Sequence, residues 1–213
     1  MANFPNDLTI VKLGGSLALE PHLHGWLTML ARCPGRSIVV PGGGPFADQV
    51  RRTQVVMGFD DRAAHHMALL AMEQFGAAIC NLEPRLIPAF SLRCLHQILS
   101  ERLTPVWMAT KMTLEASDSI PATWQVTSDS LSAWLAGCVG SRRVMLVKHG
   151  APFGDHPDVL GLAKRRIVDP LFAHYLGEAG AEAIFVAPTE HARAMELLGG
   201  GRAAARAESP HMR

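Results

Sequence analysis

The chain has 213 residues, of which 48% are hydrophobic and 18% are charged, and its formal net charge is +1. This length suits one globular domain with a substantial core. The near-neutral charge gives no electrostatic reason to expect a nucleic acid or a membrane surface as partner. Four cysteines without a C-x-x-C pair favour reduced thiols over disulfides or a zinc site. No secretory signal or membrane-spanning stretch is predicted, so we expect a cytoplasmic protein.

The first part of the chain alternates between β-rich runs and helical periodicity. Strands are predicted over 8–13 and 37–40. A helix over 23–30 follows the first strand, and a helix from Pro45 to Gly58 follows the second. The buried face of this second helix is expected to carry Phe46, Ala47, Val50 and Val55.

A third helix is predicted to begin at Asp60 and Asp61, which stand where a helix N-cap belongs. Its buried face is expected to carry Met67, Leu70, Ala71 and Phe75. The later predicted strands are 86–90, 106–108, 144–147 and 183–186, and the later predicted helices are 92–103, 127–139, 167–176 and 190–198. Loops are expected over 110–123 and 149–157.

This alternation predicts an α/β fold whose mostly parallel sheet is covered by helices on both faces. We expect a single domain over 1–198 and a disordered tail over 199–213. Ligands of such sheets bind at the carboxyl ends of the strands. The search for a site therefore starts at those ends.

Lys12 is the most informative residue, because it lies in the first apolar run and leads into Gly14, Gly15 and Ser16. A buried cation is costly unless an anion meets it. A glycine turn before a helix leaves backbone N–H groups free to bind that anion. A second such turn, 42–44, follows the second strand. Neither turn has the spacing of a P-loop or a dinucleotide fingerprint, which disfavours a dinucleotide-binding domain. The pattern predicts a site that grips phosphates from two sides.

Three segments, in this order, resemble the motifs of the amino acid kinase superfamily: Val-Lys-Leu-Gly-Gly-Ser-Leu at 11–17, Val-Pro-Gly-Gly-Gly at 40–44 and Val-Thr-Ser-Asp-Ser-Leu at 126–131. Segments 43–51 and 59–72 are most similar to the aminomethylfuran-methanol phosphate kinases of methanofuran biosynthesis. The resemblance implies a three-layer α/β/α sandwich, often assembled as a homo-oligomer. It also implies phosphoryl transfer from ATP to a small phosphorylated or carboxylated acceptor, with a diphosphate for one-carbon cofactor biosynthesis as one outcome. Mg²⁺ would be held mainly by the nucleotide phosphates.

The resemblance further implies roles for individual residues. Lys12 would neutralise the moving phosphoryl group, Asp129 would orient the lysines, and Lys164 or Lys148 would supply a second phosphate contact. The donor phosphates would lie against Gly14, Gly15 and Ser16. The residues that would hold the acceptor are Gly42, Gly43, Gly44, Arg51, Asp60, Asp61, Arg62 and His65. Asp60 or Asp61 would meet an ammonium of the acceptor, and Arg51, Arg62 or His65 its phosphate.

Simpler interpretations of the same residues stay open. Capping by Thr127 or Ser128, with Asp129 favouring the helix dipole, accounts for that segment without a ligand. Capping also accounts for Asp60 and Asp61, and Lys164 is equally well explained as a solvated residue. The histidines at 22, 24, 65 and 66 lack the spacing of metal ligands, so no protein metal site is expected.

One segment departs from the superfamily. The Thr-Asp-x-x-Gly that normally lines the adenosine is replaced by Lys148-His149-Gly150-Ala151-Pro152-Phe153-Gly154. An alternative is therefore a non-catalytic relative, either a pseudo-kinase subunit or an anion-binding storage protein. Two structural outcomes would contradict an enzyme: pairing of the Lys12 ammonium with an internal carboxylate, and glycine turns on opposite sides of the molecule.

Overall fold

The computed structural model describes residues 4–150, 153–154 and 157–199. Six strands form one parallel sheet in the order β3-β4-β2-β1-β5-β6. The strands are β1 (Thr9–Leu13), β2 (Ser37–Pro41), β3 (Leu86–Ala89), β4 (Thr104–Trp107), β5 (Arg143–Val147) and β6 (Glu182–Val186). The predicted α/β fold is confirmed.

Helices cover both faces of this sheet. They are α1 (Leu23–Arg32), α2 (Gly44–Met57), α3 (Asp61–Leu82), α4 (Leu92–Ser100), α5 (Thr110–Glu115), α6 (Ser128–Val139), α7 (Val159–Lys164), α8 (Phe172–Ala179) and α9 (His191–Leu197), with a short 3-10 helix at Gly15–Leu19. Within the described ranges, no helix is long and apolar enough to cross a membrane.

The central strands bury both of their faces, as expected for a parallel sheet between two helical layers. Ile10 packs in a core cluster with residues of α6 and α8, whereas Val11 packs in a second cluster with residues of α1 and α9. Side chains therefore alternate between the two layers along β1. Lys12 falls on the same face as Ile10, toward α6.

Four of the residues expected to be buried are exposed: Phe46, Val55, Met67 and Leu70. Ala47, Val50, Ala71 and Phe75 are buried as expected. Val55 is 87% exposed because the last turn of α2 extends beyond the elements against which α2 packs. Met67 and Leu70 lie on the outer side of α3, so the expectation that they belong to its buried face is wrong.

Two further expected elements differ from the structure. The expected loop over 110–123 contains α5, and the helix expected from 167 begins only at Phe172, as α8; the short helix α7 before it was not expected. Pro170 accounts for the late start, because proline cannot continue a helix through its own position. The expected disordered tail lies outside the described residues from 200 onward, as do 151–152 and 155–156 of the expected loop.

Candidate functional site

Both glycine turns lie at the same edge of the sheet. In the parallel register Leu13 of β1 is the partner of Pro41 on β2 and of Val147 on β5. The amide of Gly42 donates a hydrogen bond of 2.9 Å to the carbonyl of Leu13, which ties the second turn to the first strand. The turns 14–16 and 42–44 and the residue after β5 thus meet at one place. The expectation that the two turns face one site is confirmed.

The two turns touch through backbone atoms. A Cβ on Gly42 would lie 2.5 Å from the amide nitrogen of Gly15, and a Cβ on Gly14 would lie 2.9 Å from the carbonyl oxygen of Val147. Gly44 has φ +52°, in the left-handed region that favours glycine. Glycine is therefore required here by close approach and by conformation.

A buried carboxylate joins two lysines beside these turns. The Nζ atom of Lys12 lies 2.9 Å from Oδ1 of Asp129, and Nζ of Lys148 donates a hydrogen bond of 2.6 Å to Oδ2. Lys12 and Asp129 are only 5% and 3% exposed. Lys148 reaches the same carboxylate because it stands two positions after Leu146, which shares the sheet face of Lys12. The expected role of Asp129 in orienting lysines fits this geometry.

The charges of this cluster do not cancel. Burial alone would raise the pKa of Asp129, but the ammonium groups of Lys12 and Lys148 outweigh it and hold the pKa below its usual range. Burial, followed by repulsion from Lys12, lowers the pKa of Lys148 to about 8. Lys12 is thus paired with an internal carboxylate, which is the first of the two outcomes expected to contradict an enzyme; that carboxylate, however, is shared with Lys148 and does not serve Lys12 alone. Among these three side chains one carboxylate serves two cations, so a positive charge is left over. The nearby carboxylate of Asp169 also acts on Lys148 and offsets part of this charge, and an anion at the turns would balance the rest.

Asp169, which the sequence did not indicate, caps the helix that carries Asp129. Its Oδ2 accepts hydrogen bonds from the backbone N–H of Thr127 at 2.8 Å and of Ser130 at 3.0 Å. The expected cap by Thr127 or Ser128 is wrong in this respect, since the Thr127 side chain makes no capping bond. Asp169-Pro170 inside a predicted helix was the available signal, because a proline there marks a break.

A cavity of about 300 Å³ opens beside the glycine turns. Its lining combines polar side chains, among them Ser16, Arg51 and His65, with apolar ones. The lining residues are Gly15, Ser16, Leu19, Gly43, Gly44, Pro45, Ala47, Asp48, Arg51, His65, Ala68, Leu69, Met72, Trp124, Val126, Thr127, Ser128 and Leu131. Its size and mixed lining suit a small molecule that carries both polar and apolar groups.

Trp124 forms one wall of this cavity, which the sequence also did not indicate. The guanidinium of Arg51 lies 4.2 Å from the centre of the indole ring, within range of a cation–π contact. The indole N–H donates a hydrogen bond of 2.7 Å to Gln54 Oε1, and Gln54 Nε2 donates one of 2.9 Å to Asp61. Arg51 also pairs with Asp48 at 3.3 Å. These contacts hold Trp124 and Arg51 together at the cavity.

The remaining acceptor candidates are divided between two places. Asp60 and Arg62 line a second cavity of about 480 Å³, and His65 lines both cavities. Asp60 caps α3 by accepting a hydrogen bond of 2.8 Å from Ala63 N, so its capping role is confirmed. Asp61 lines neither cavity. Burial, with a further contribution from His66, lowers the pKa of His65, which favours its neutral form at pH 7.

Lys164 is not brought to the cluster. It lies exposed in the last turn of α7, and its side chain forms no ion pair or hydrogen bond with another described residue. The ammonium of Lys148, the other candidate, belongs to the cluster. His149, which follows Lys148 in the chain, contacts Glu20 at the end of the 3-10 helix. Among the described residues, no three His, Cys, Asp or Glu side chains are grouped as metal ligands. The fit to Mg-ATP therefore rests on the glycine turns and the two ammonium groups, with the metal carried by phosphates.

Comparisons with known proteins agree with this geometry. No protein-family model matches the chain. The [5-(aminomethyl)furan-3-yl]methyl phosphate kinase of Methanocaldococcus jannaschii is 26% identical over 140 residues, which is 64% of this chain and 63% of that kinase. The matched region thus spans less than two thirds of the relative's length.

Solved structures of uridylate kinases share the fold. The enzyme of Archaeoglobus fulgidus superposes with a TM-score of 0.68 over 91% of this chain and 96% of its own, at 14% identity. The UMP kinase of Ureaplasma parvum gives a TM-score of 0.63 over 86% and 90%, at 13% identity. The protein therefore has the fold of these uridylate kinases, and the predicted resemblance is confirmed. In sequence the chain is similar to the [5-(aminomethyl)furan-3-yl]methyl phosphate kinase described above.

Proposed function

We propose that the protein is an ATP-dependent kinase that phosphorylates a small phosphomonoester and so makes a diphosphate. The observation that carries this proposal is the buried cluster in which Lys12 and Lys148 share Asp129 beside two abutting glycine turns. Its surplus positive charge suits a group that brings several phosphate charges together. The similarity to a phosphate kinase supports the same reaction class.

The site would work by positioning and by electrostatic stabilisation. An oxygen of the acceptor phosphate attacks the γ-phosphorus of ATP, the bond to the β-phosphate oxygen breaks, and ADP leaves. A phosphomonoester is already largely ionised at pH 7, so no general base is needed to activate it. Lys12 and Lys148 would neutralise the charge on the moving phosphoryl group, while the turns of Gly14–Gly15 and Gly43–Gly44 hold the donor and the acceptor.

The cavity beside the turns indicates the class of acceptor. Leu69, Met72 and Trp124 contribute apolar surface to its lining, and Arg51 contributes a cation. A flat, short group that carries a phosphate would place that phosphate near the glycines and its ring against Trp124. Asp48 lines this cavity, so it replaces Asp60 and Asp61 as the carboxylate for an acceptor amine. A one-carbon cofactor precursor, such as the aminomethylfuran phosphate in the relative's name, meets these requirements.

The test is product analysis by phosphorus NMR with Mg-ATP and [5-(aminomethyl)furan-3-yl]methyl phosphate. We expect diphosphate signals with the wild type and with Lys111→Ala, which removes an exposed lysine of α5. Lys12→Ala should form no product. Equal turnover by Lys12→Ala, or no turnover with any small phosphomonoester, would contradict the proposal.

A second candidate is a non-catalytic phosphate-binding protein, which the replacement of Thr-Asp by Lys148 and His149 favours. A native-state ligand raises Tm as its concentration rises. Stabilisation by pyrophosphate without turnover would select this candidate, whereas turnover would exclude it. The homo-oligomer and the cytoplasmic location remain proposals. Light scattering of the purified protein tests the first, and fractionation of expressing cells tests the second.

A further inference from the structure

We propose that Asp169 is a positioning residue of this site: from the segment between α7 and α8, it fixes the first turn of α6 where Asp129 bridges Lys12 and Lys148. Any consequence for phosphoryl transfer rests on the proposed function. The placement of the two ammonium groups does not depend on the proposed function, because it is a property of the folded chain.

The first turn of α6 depends on Asp169 for its hydrogen bonds. Helix N-termini leave backbone N–H groups without partners, and a local side chain normally accepts from them. Here Asp169 does so from 42 residues away, at 2.8 Å from Thr127 N and 3.0 Å from Ser130 N. The hydroxyl of Thr127 donates to the same oxygen at 2.9 Å, and the hydroxyl of Ser130 donates to Oδ1. Four donors thus converge on one carboxylate.

Asp129 lies inside the turn that these four bonds hold. It stands between Thr127 and Ser130, so a shift of this turn moves its carboxylate relative to both lysines. The ion pairs are short, 2.9 Å to Lys12 and 2.6 Å to Lys148, and a displacement of about 1 Å would break them. Thr127 and Ser128 of the same turn also line the cavity at the glycine turns. Asp169 is therefore connected to both sides of the site.

The surroundings of Asp169 leave it little freedom to do anything else. Asp169 is 8% exposed. It lies just before α8, and α8 packs against α6. Burial, followed by repulsion from Asp129, raises the pKa of Asp169. A buried carboxylate with these neighbours is stable only while its donors stay in place. The arrangement is accordingly a rigid one.

The experiment observes the lysine ammonium groups directly. The chain has four lysines, of which Lys111 and Lys164 are exposed, so the nitrogen-15 spectrum of lysine-labelled protein is simple. Ammonium protons held in buried ion pairs exchange slowly with water, and we expect persistent cross-peaks from Lys12 and Lys148 only. The variants Lys111→Arg and Lys164→Arg verify that assignment.

Two variants of Asp169 separate its hydrogen bonds from its charge. Asp169→Asn and Asp169→Ala remove the same charge, but only alanine removes the acceptor of the Thr127 and Ser130 N–H groups. We expect Asp169→Asn to retain both cross-peaks and Asp169→Ala to lose them. Ser91→Ala removes the cap of α4, where Ser91 accepts from Cys94 N at 3.2 Å. It should lower Tm while leaving both cross-peaks unchanged.

The proposal is overturned if Asp169→Ala keeps both cross-peaks, if Asp169→Asn loses them as fully as alanine does, or if Ser91→Ala also loses them. Should Asp169→Ala fail to fold, Ser130→Ala decides, since it removes one donor to Asp169 and leaves the lysines intact. Faster ammonium exchange in Ser130→Ala supports the proposal, and unchanged exchange overturns it. If turnover is found, kcat should fall on the order of 10²-fold in Asp169→Ala, as expected for misplaced groups. Persistent cross-peaks in the wild type without any turnover would contradict the proposed kinase activity but not the role of Asp169.

Discussion

Gly15 and Gly44 approach each other so closely that a Cβ on Gly15 would lie 2.1 Å from the amide nitrogen of Gly44. The obstacle is backbone, so no flexible side chain can move aside to relieve the contact. The two turns therefore define one another's position. Their contact sets the distance between the donor and acceptor sides of the proposed active site.

Gly15→Ala is accordingly expected to destabilise the protein by about 1–3 kcal/mol, the usual cost of overpacking. The matched control is Gly177→Ala in α8, where a Cβ meets nothing within 4 Å. There the change should be neutral or stabilise the protein by about 0.4–1 kcal/mol. Urea unfolding of both variants measures the difference. Equal free energies of unfolding would show that the two turns are not in contact.

Asp129→Asn should be among the most destabilising single substitutions outside the apolar core. It leaves the ammonium groups of Lys12 and Lys148 facing each other without a carboxylate, and breaking a buried ion pair costs about 3–5 kcal/mol. Asp7→Asn is the control, because Asp7 pairs with Arg36 at the surface, where such pairs contribute about 0–1 kcal/mol. Urea unfolding at neutral pH distinguishes the two. A loss no larger than that of Asp7→Asn would mean that the lysines are not held as described.

Lys148 predicts a particular dependence of stability on pH. Its pKa is lowered from 10.5 to about 8, so between these values the unfolded chain binds more protons at this position than the native protein does. This residue therefore makes the free energy of unfolding rise with pH across that window. Lys148→Met removes the contribution.

The measurement compares urea unfolding of the wild type and Lys148→Met at about pH 7 and about pH 9.5. The difference between the proteins is used because Cys80 and Cys138, with pKa values of about 11, act in the opposite direction in both. We expect the wild type to gain more stability with pH than the variant. Parallel pH profiles would mean that Lys148 titrates normally and is not buried beside Lys12.

Trp124→Phe is expected to weaken binding of the acceptor while leaving turnover largely intact. The variant keeps a ring against the cavity but loses the hydrogen bond of 2.7 Å to Gln54, and such bonds contribute about 0.5–1.5 kcal/mol. KM for the phosphomonoester should rise about threefold to tenfold with kcat nearly constant. Trp134→Phe, which changes an indole packed on Trp107 away from the cavity, should leave KM unchanged. An unaltered KM in Trp124→Phe would remove Trp124 from the acceptor site.

Much of the fold was predictable because parallel strands and glycine turns leave strong local signals. Val39 and Val40 before a glycine run, and Gly58 at the end of a helical pattern, mark their elements without any tertiary information. The buried face of a helix is less certain. Val55 and Leu70 fall at helical spacing and are both exposed, because spacing reveals neither where the neighbouring element ends, as at Val55, nor which side of the helix faces the core, as at Leu70.

The site was predictable only where a local motif carries it. Lys12 and the glycines stand in consecutive positions, and the resemblance supplied Asp129. The pairing of Lys148 with Asp129 depends instead on the register between β1 and β5, and the cap by Asp169 joins residues 42 positions apart. Such contacts are set by packing of the whole chain, so no single window of sequence contains them.

The alternation of side chains along β1 and β5 has a consequence for how the protein tolerates change. Both cations point toward α6 because each stands two positions along the chain from a residue on that face, Lys12 after Ile10 and Lys148 after Leu146. An insertion or deletion of a single residue within β5 would turn the Lys148 side chain to the opposite layer, against α1 and α9. Substitutions of neighbouring residues on either strand would leave its direction unchanged. The direction of these two ammonium groups is thus less sensitive to substitutions in the strands than to the insertion or deletion of one residue.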